Sequence, residues 1–145
     1  MSITVTEISR MSADEVDQLF RDGEVGQIPD GQADGVAIVR PGSSAEGLME
    51  RLVRGIAWQG KVVNARKGTL KNRILPLGTR AIAADVYRGQ SWFDGKECIV
   101  LDYSKRSIVA SYVRDEIRRV APGLYLGLVY LKRTRTIYFT LQFTV

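Results

Sequence analysis

LYLGLVYLKRTRTIYFTLQFTV, residues 124–145, decides the fold class. Leu124–Leu131 is almost wholly apolar. Thr136–Val145 then alternates, with Ile137, Phe139, Leu141, Phe143 and Val145 interleaved by Tyr138, Thr140, Gln142 and Thr144. A period of two sends the first set to one face of a strand and the second set to the other. Between the runs stands Lys132-Arg133-Thr134-Arg135, which reads as the solvated tip of a β-hairpin. Strand-like runs recur upstream at Ala33–Arg40, Trp58–Asn64, Thr69–Leu75, Arg80–Gly89 and Lys96–Tyr103. Their links are of hairpin length, and no strand–helix–strand rhythm appears, so the sheet is expected to be antiparallel.

Helical spacing appears in three places. Ser12-Ala13-Asp14-Glu15 is a capping box followed by Val16, Leu19 and Phe20, with Gly23 as the stop. Ser43-Ser44-Ala45-Glu46 is a second box, ahead of Leu48, Met49, Leu52, Val53 and Ile56, predicting a helix over about 44–57. Ile108, Val109, Tyr112, Val113, Ile117 and Val120 predict a third over Ser104–Ala121, ended by Pro122-Gly123. The class is therefore α+β, mainly β: a strongly curved antiparallel sheet or lipocalin-like barrel of about seven strands, with three covering helices over an open end and room for one small ligand.

The chain of 145 residues is expected to be a single domain, 1–145, with residues 1–11 as an N-terminal extension that could be flexible. Hydrophobic residues make up 45% and charged residues 26%, which excludes disordered and fibrous classes. No apolar run reaches the ~20 residues of a membrane span, and the first residues do not read as a signal peptide. The single cysteine, Cys98, suits a reducing cytoplasm and a buried structural role. Histidine is absent, which removes Ser-His-Asp and Cys-His machinery and every histidine-bearing metal site. No metal and no cofactor is expected, so any chemistry falls to Asp, Glu, Tyr or Lys. The net charge of +5 is scattered and no nucleic-acid-binding motif accompanies it, so nucleic acid is not the expected partner.

The candidate site comes from the hairpin around Asp94-Gly95. If those two residues form the turn, Tyr87 faces Asp102 and Asp85 faces Ser104, which gathers Asp85, Tyr87 and Asp102 on one face, while Ile82, Ala84, Val86, Ile99 and Leu101 on the other read as core. The trio is either a solvent-facing polar stripe or, as a catalytic role requires, turned inward onto a sheltered hollow. Two close carboxylates raise one pKa, giving a general acid beside a general base, and the phenol can hold a substrate oxygen. Asn72 and Arg73 on the preceding strand could orient a carboxylate or a water, and since their faces differ at most one of them points into the site. Trp58, Trp92 and Phe93 are candidates for the apolar lining or the rim of a cavity.

The segments WQGKVVNARKGTLKNRILPLGTRAI and SWFDGKECIVLDYSKRSIVASYVRDEIRRVAPGLYLGLVYLK, within 58–132, resemble small bacterial single-domain proteins of uncharacterised activity. The size and strand pattern resemble the lipocalin and fatty-acid-binding superfamily, which implies a barrel that holds an apolar ligand. Asn72, Arg73, Asp85, Tyr87 and Asp102 also resemble, in residue type though not in order, the Asp-Arg-Asp set with Tyr and Asn helpers of limonene-type epoxide hydrolases. That likeness implies a cofactor-independent hydrolase or cyclase, in the company of accessory enzymes of polyketide biosynthesis. The expected function is epoxide opening or cyclisation of an apolar polyketide- or terpene-like substrate, with Asp85, Asp102 and Tyr87 as catalytic groups and Arg73, Asn72, Trp58, Trp92 and Phe93 binding substrate. The alternative is a non-catalytic carrier of a fatty acid or similar hydrophobic ligand, with Lys71, Arg73 or Arg80 meeting the carboxylate. A homodimer is compatible with either reading.

Overall fold

Eight strands close on themselves in sequence order. They are β1 Gly31–Ile38, β2 Ala57–Asn64, β3 Thr69–Leu75, β4 Ala83–Gln90, β5 Glu97–Asp102, β6 Val113–Ala121, β7 Leu124–Leu131 and β8 Thr134–Phe143. Every neighbour is antiparallel, and β8 returns to pair with β1, giving an up-and-down barrel with no free edge. The computed structural model describes residues 2–38, 57–75, 82–108 and 110–144. The helix expected over 44–57 lies outside the described residues except for Ala57, which opens β2.

Two helices precede the barrel. α1 Val5–Ser9 forms within the segment read as an extension and buries Ile8. α2 Ala13–Asp22 begins at the expected capping box: the Ser12 side chain accepts from Glu15 N, and Glu15 accepts from Ser12 N. These helices do not cover an open end. They lie on the outer wall, where Ile8, Val16 and Phe20 pack with Leu124, Leu126, Leu128 and Tyr130. Strand β7 is thus buried on both faces, which explains why its sequence is apolar without alternation. Its inward residues join Val63, Leu70, Val86, Ile99, Ile117 and Phe139 in the barrel core.

The expected third helix is a correction. Val113–Ala121 is strand β6. Its apolar residues sit at helical spacing because the strand buries charged residues on both faces. Glu116 and Arg118, on the outer face, are 0% and 1% exposed. Glu116 accepts from Ser91 Oγ at 2.5 Å and Trp92 N at 2.7 Å. Arg118 donates to both Asp94 carboxylate oxygens, at 2.6 and 2.8 Å, and to Phe20 O at 3.1 Å. The segment 91–96 is thereby latched over β6 and packs Phe93 edge-on against Phe20 of α2.

The Asp94 carboxyl is lowered from 3.8 to about 2, chiefly by the Arg118 hydrogen bonds. A folded-state pKa below the unfolded value stabilises the fold above pH ~4, and that stability is lost as pH falls towards 2. Asp94→Asn should therefore cost ~1–2 kcal/mol at neutral pH and flatten the stability profile between about pH 5 and 2, read by urea melts across that range.

Candidate functional site

The hairpin register differs from the expected one by two residues. Asp85 pairs with Asp102, and Tyr87 with Val100. The link spans Ser91–Lys96, closed by Ser91 N to Lys96 O at 2.8 Å and Gly95 N to Ser91 O at 2.9 Å. A shift of two keeps every side chain on its face, so Asp85, Tyr87 and Asp102 still gather. Tyr87 Oη donates to Asp102 Oδ2 at 2.9 Å.

The face is the outer one, as the solvent-facing alternative has it, and this corrects the expectation that the three residues line a hollow inside the barrel. Ala84, Val86, Ile99 and Leu101, alternating with these residues, form the core, and Tyr87 is 40% exposed. Asp85 is ion-paired to Arg106 at 2.6 Å. Asp102 also accepts from Ser104 Oγ at 2.6 Å and Ser104 N at 2.9 Å. Burial pulls the Asp102 pKa up, but the hydrogen bonds from Ser104 and Tyr87 win and leave it lowered. Burial and the Asp102 bond raise Tyr87. Asp102 is therefore held ionised beside a protonated phenol, and the group ties the 103–108 loop to the wall.

The other candidates divide between the two faces. Asn72 is 5% exposed and faces inward, whereas Arg73 faces outward, bonded to Asp34 at 3.1 Å. Trp92 is 43% exposed on the outer surface, stacked by Arg114 at 4.2 Å and Arg133 at 4.9 Å. Phe93 belongs to the outer layer. Trp58 packs inside against the barrel core.

Inside the barrel is a cluster the sequence reading did not assemble. Lys61 of β2, Asn72 of β3, Tyr103 after β5 and Asp115 of β6 are each 5% exposed or less. The strand register places them together: Lys61 pairs with Asn72, and Leu101 with Asp115. Lys61 Nζ donates to Asn72 Oδ1 at 2.8 Å and Tyr103 Oη at 2.5 Å, and is ion-paired to Asp115 Oδ2 at 3.3 Å. Tyr103 Oη donates to Asp115 Oδ2 at 3.2 Å and accepts from Asn72 Nδ2 at 3.1 Å. Trp58 Nε1 donates to Asn72 Oδ1 at 3.0 Å.

Trp58 and Lys61 share a face although their numbers differ in parity. The β2–β3 register shifts between Trp58 and Gly60, and that bulge turns Trp58 inward. The Trp58, Tyr103 and Phe139 rings lie 5.3–5.5 Å from Lys61 Nζ. Two glycines make room for these rings. A Cβ on Gly35 would meet Trp58 at 2.3 Å, and one on Gly127 would meet Phe139 at 2.2 Å.

Burial dominates the electrostatics. It pushes the Lys61 ammonium down, against the pull of Asp115, and pushes the Asp115 carboxyl up, against the pull of Lys61. It also raises the Tyr103 phenol well above its usual range, with the Asp115 charge adding to the effect. Lys61 becomes a stronger acid and Asp115 a stronger base than either is in water. Cys98, by contrast, is buried and pushed up to about 12, which leaves an inert thiol.

A surface cleft of about 510 Å³ lies elsewhere, outside the barrel, lined among others by Ile3, Leu19, Asp22, Arg119 and Pro122. Among the described residues, no helix is long and apolar enough to cross a membrane. No protein-family model matches the chain, and no curated protein matches it. The barrel is similar to the crystal structure of a protein from Thermomonospora curvata, with a TM-score of 0.64 over 93% of this chain and 89% of that one. At 16% identity this likeness shows the shared fold: a closed antiparallel barrel, in keeping with the lipocalin-like architecture expected from the strand pattern.

Proposed function

We propose that the protein is a cofactor-independent acid–base enzyme that opens or cyclises an epoxide in an apolar small molecule, with Asp115 and Lys61 as its reacting groups. One observation carries the reading: an ammonium, a phenol and a carboxylate form a hydrogen-bonded cluster inside a wall of apolar side chains. Asp115 takes the proton of an attacking hydroxyl, from water or from the substrate itself. The new C–O bond forms as the epoxide C–O bond breaks. Lys61, releasing one of its three contacts within the cluster, protonates the departing oxygen, and the proton held by Asp115 returns to Lys61, which lies 3.3 Å from Asp115 Oδ2. Burial makes Lys61 a better proton donor and Tyr103 a worse one, so the phenol acts as a positioning group between them.

The carrier reading is less well supported. Lys61 is already matched by Asp115, Lys71 and Arg73 point outward, and Arg80 lies outside the described residues, so among the described residues the interior offers a fatty-acid carboxylate no unpaired cation.

Turnover of an apolar epoxide panel (styrene oxide, cis-stilbene oxide, limonene oxide) across pH tests the proposal. The base must be deprotonated and the acid protonated. The profile should therefore be bell-shaped, with the acid limb above 3.8 and the alkaline limb below 10.5. Absence of turnover for the whole panel, or a rate flat across that range, would contradict it.

A further inference from the structure

We infer that the barrel interior holds a ligand subsite at Asp115 Oδ1 that selects a neutral hydroxyl-bearing apolar molecule and rejects a carboxylate. Lys61 faces three acceptors: Asn72 Oδ1, Tyr103 Oη and Asp115 Oδ2. The Asn72 amide donates to Ile82 O at 3.0 Å and to Tyr103 Oη at 3.1 Å. The Tyr103 hydrogen goes to Asp115 Oδ2, and the Trp58 indole hydrogen goes to Asn72 Oδ1. Every donor of the cluster is spoken for. Asp115 Oδ1 is buried and has no hydrogen-bond partner among the described residues. The cluster therefore lacks one donor and has none of its own to supply.

An unpaired buried acceptor costs the full desolvation of that atom, so a ligand that brings the missing hydrogen is favoured over one that does not. A phenol or alcohol supplies it. An ether supplies nothing. A carboxylate brings only acceptors and sets a second negative charge beside Asp115. The apolar neighbours of Asp115 across the sheet, Leu101 and Val129, favour a hydrocarbon body on that ligand. The hydroxyl so placed is the one from which the proposed base would draw its proton. The inference deepens the proposed function, but it is read by binding alone, so failed binding and failed turnover remain distinguishable.

Calorimetric titration of the intact protein with 4-tert-butylphenol, 4-tert-butylanisole and 4-tert-butylbenzoate at pH 7 tests it. The phenol should bind at least tenfold more tightly than the anisole, and the benzoate should not bind measurably. In the Lys61→Met/Asp115→Leu double variant, which removes both charges together, the phenol-to-anisole ratio should fall to near one. Equal binding of phenol and anisole by the unaltered protein would mean that water alone serves Oδ1, and would overturn the inference. Preference for the benzoate, binding of none of the three, or a ratio unchanged in the double variant would overturn it as well.

Discussion

Lys61→Met should destabilise the barrel by ~3–5 kcal/mol, because it leaves Asp115 buried beside a phenol with no counter-charge. Asp115→Leu alone should cost a similar amount, since Lys61 would then be the uncompensated charge. The double variant Lys61→Met/Asp115→Leu should recover most of that loss, because apolar residues of comparable volume avoid the cost of dehydrating both ions. Urea denaturation of the four proteins gives the coupling directly. A single variant as stable as the parent would mean that the pair is solvated rather than interior. The contrast with Arg106 and Asp85 is instructive: that pair is 49% and 27% exposed, and breaking it should cost no more than ~1 kcal/mol.

The second large effect is on turnover. Asp115→Asn keeps the size of the side chain but removes the proposed base, and should lower kcat/KM on the best epoxide of the panel by ~10²–10⁴-fold. Asp85→Asn and Asp102→Asn, on the outer wall, should stay within about threefold of the parent, a difference worth less than ~1 kcal/mol of transition-state stabilisation. The reverse pattern would return the chemistry to the outer cluster of Asp85, Tyr87 and Asp102. A melting curve for each variant separates loss of the reacting group from loss of the fold.

The strands were legible wherever one face is apolar and the other polar. The alternation of β8 and the bounds of β3 and β7 follow from the sequence because those strands obey a period of two or are apolar throughout. Strand β6 was not legible. Its VRDEIRRVA buries Asp115 inward and Glu116 and Arg118 outward, and only the partners on β2, the 91–96 segment and α2 make that burial tolerable. No local pattern signals partners that distant in sequence. The same gap hid the interior cluster. Lys61 and Asp115 look like ordinary solvated charges until the barrel closes and the register aligns them. The outer cluster is legible because its members sit on adjacent strands of one hairpin, where parity survives a two-residue shift in register. The core side of the same hairpin is legible too, because Ala84, Val86, Ile99 and Leu101 are apolar on one parity, and that leaves the polar trio to the outer wall.

The proposed reacting groups, Asp115 and Lys61, lie within the barrel rather than on its wall, and a crystal soaked with 4-tert-butylphenol distinguishes the two places. Density for the ring is expected inside the barrel, against Trp58 and Phe139, with the hydroxyl within about 3.2 Å of Asp115 Oδ1, a hydrogen-bonding distance. Density seated instead against Tyr87 and Asp102 on the outer wall, with the interior unchanged, would contradict that placement.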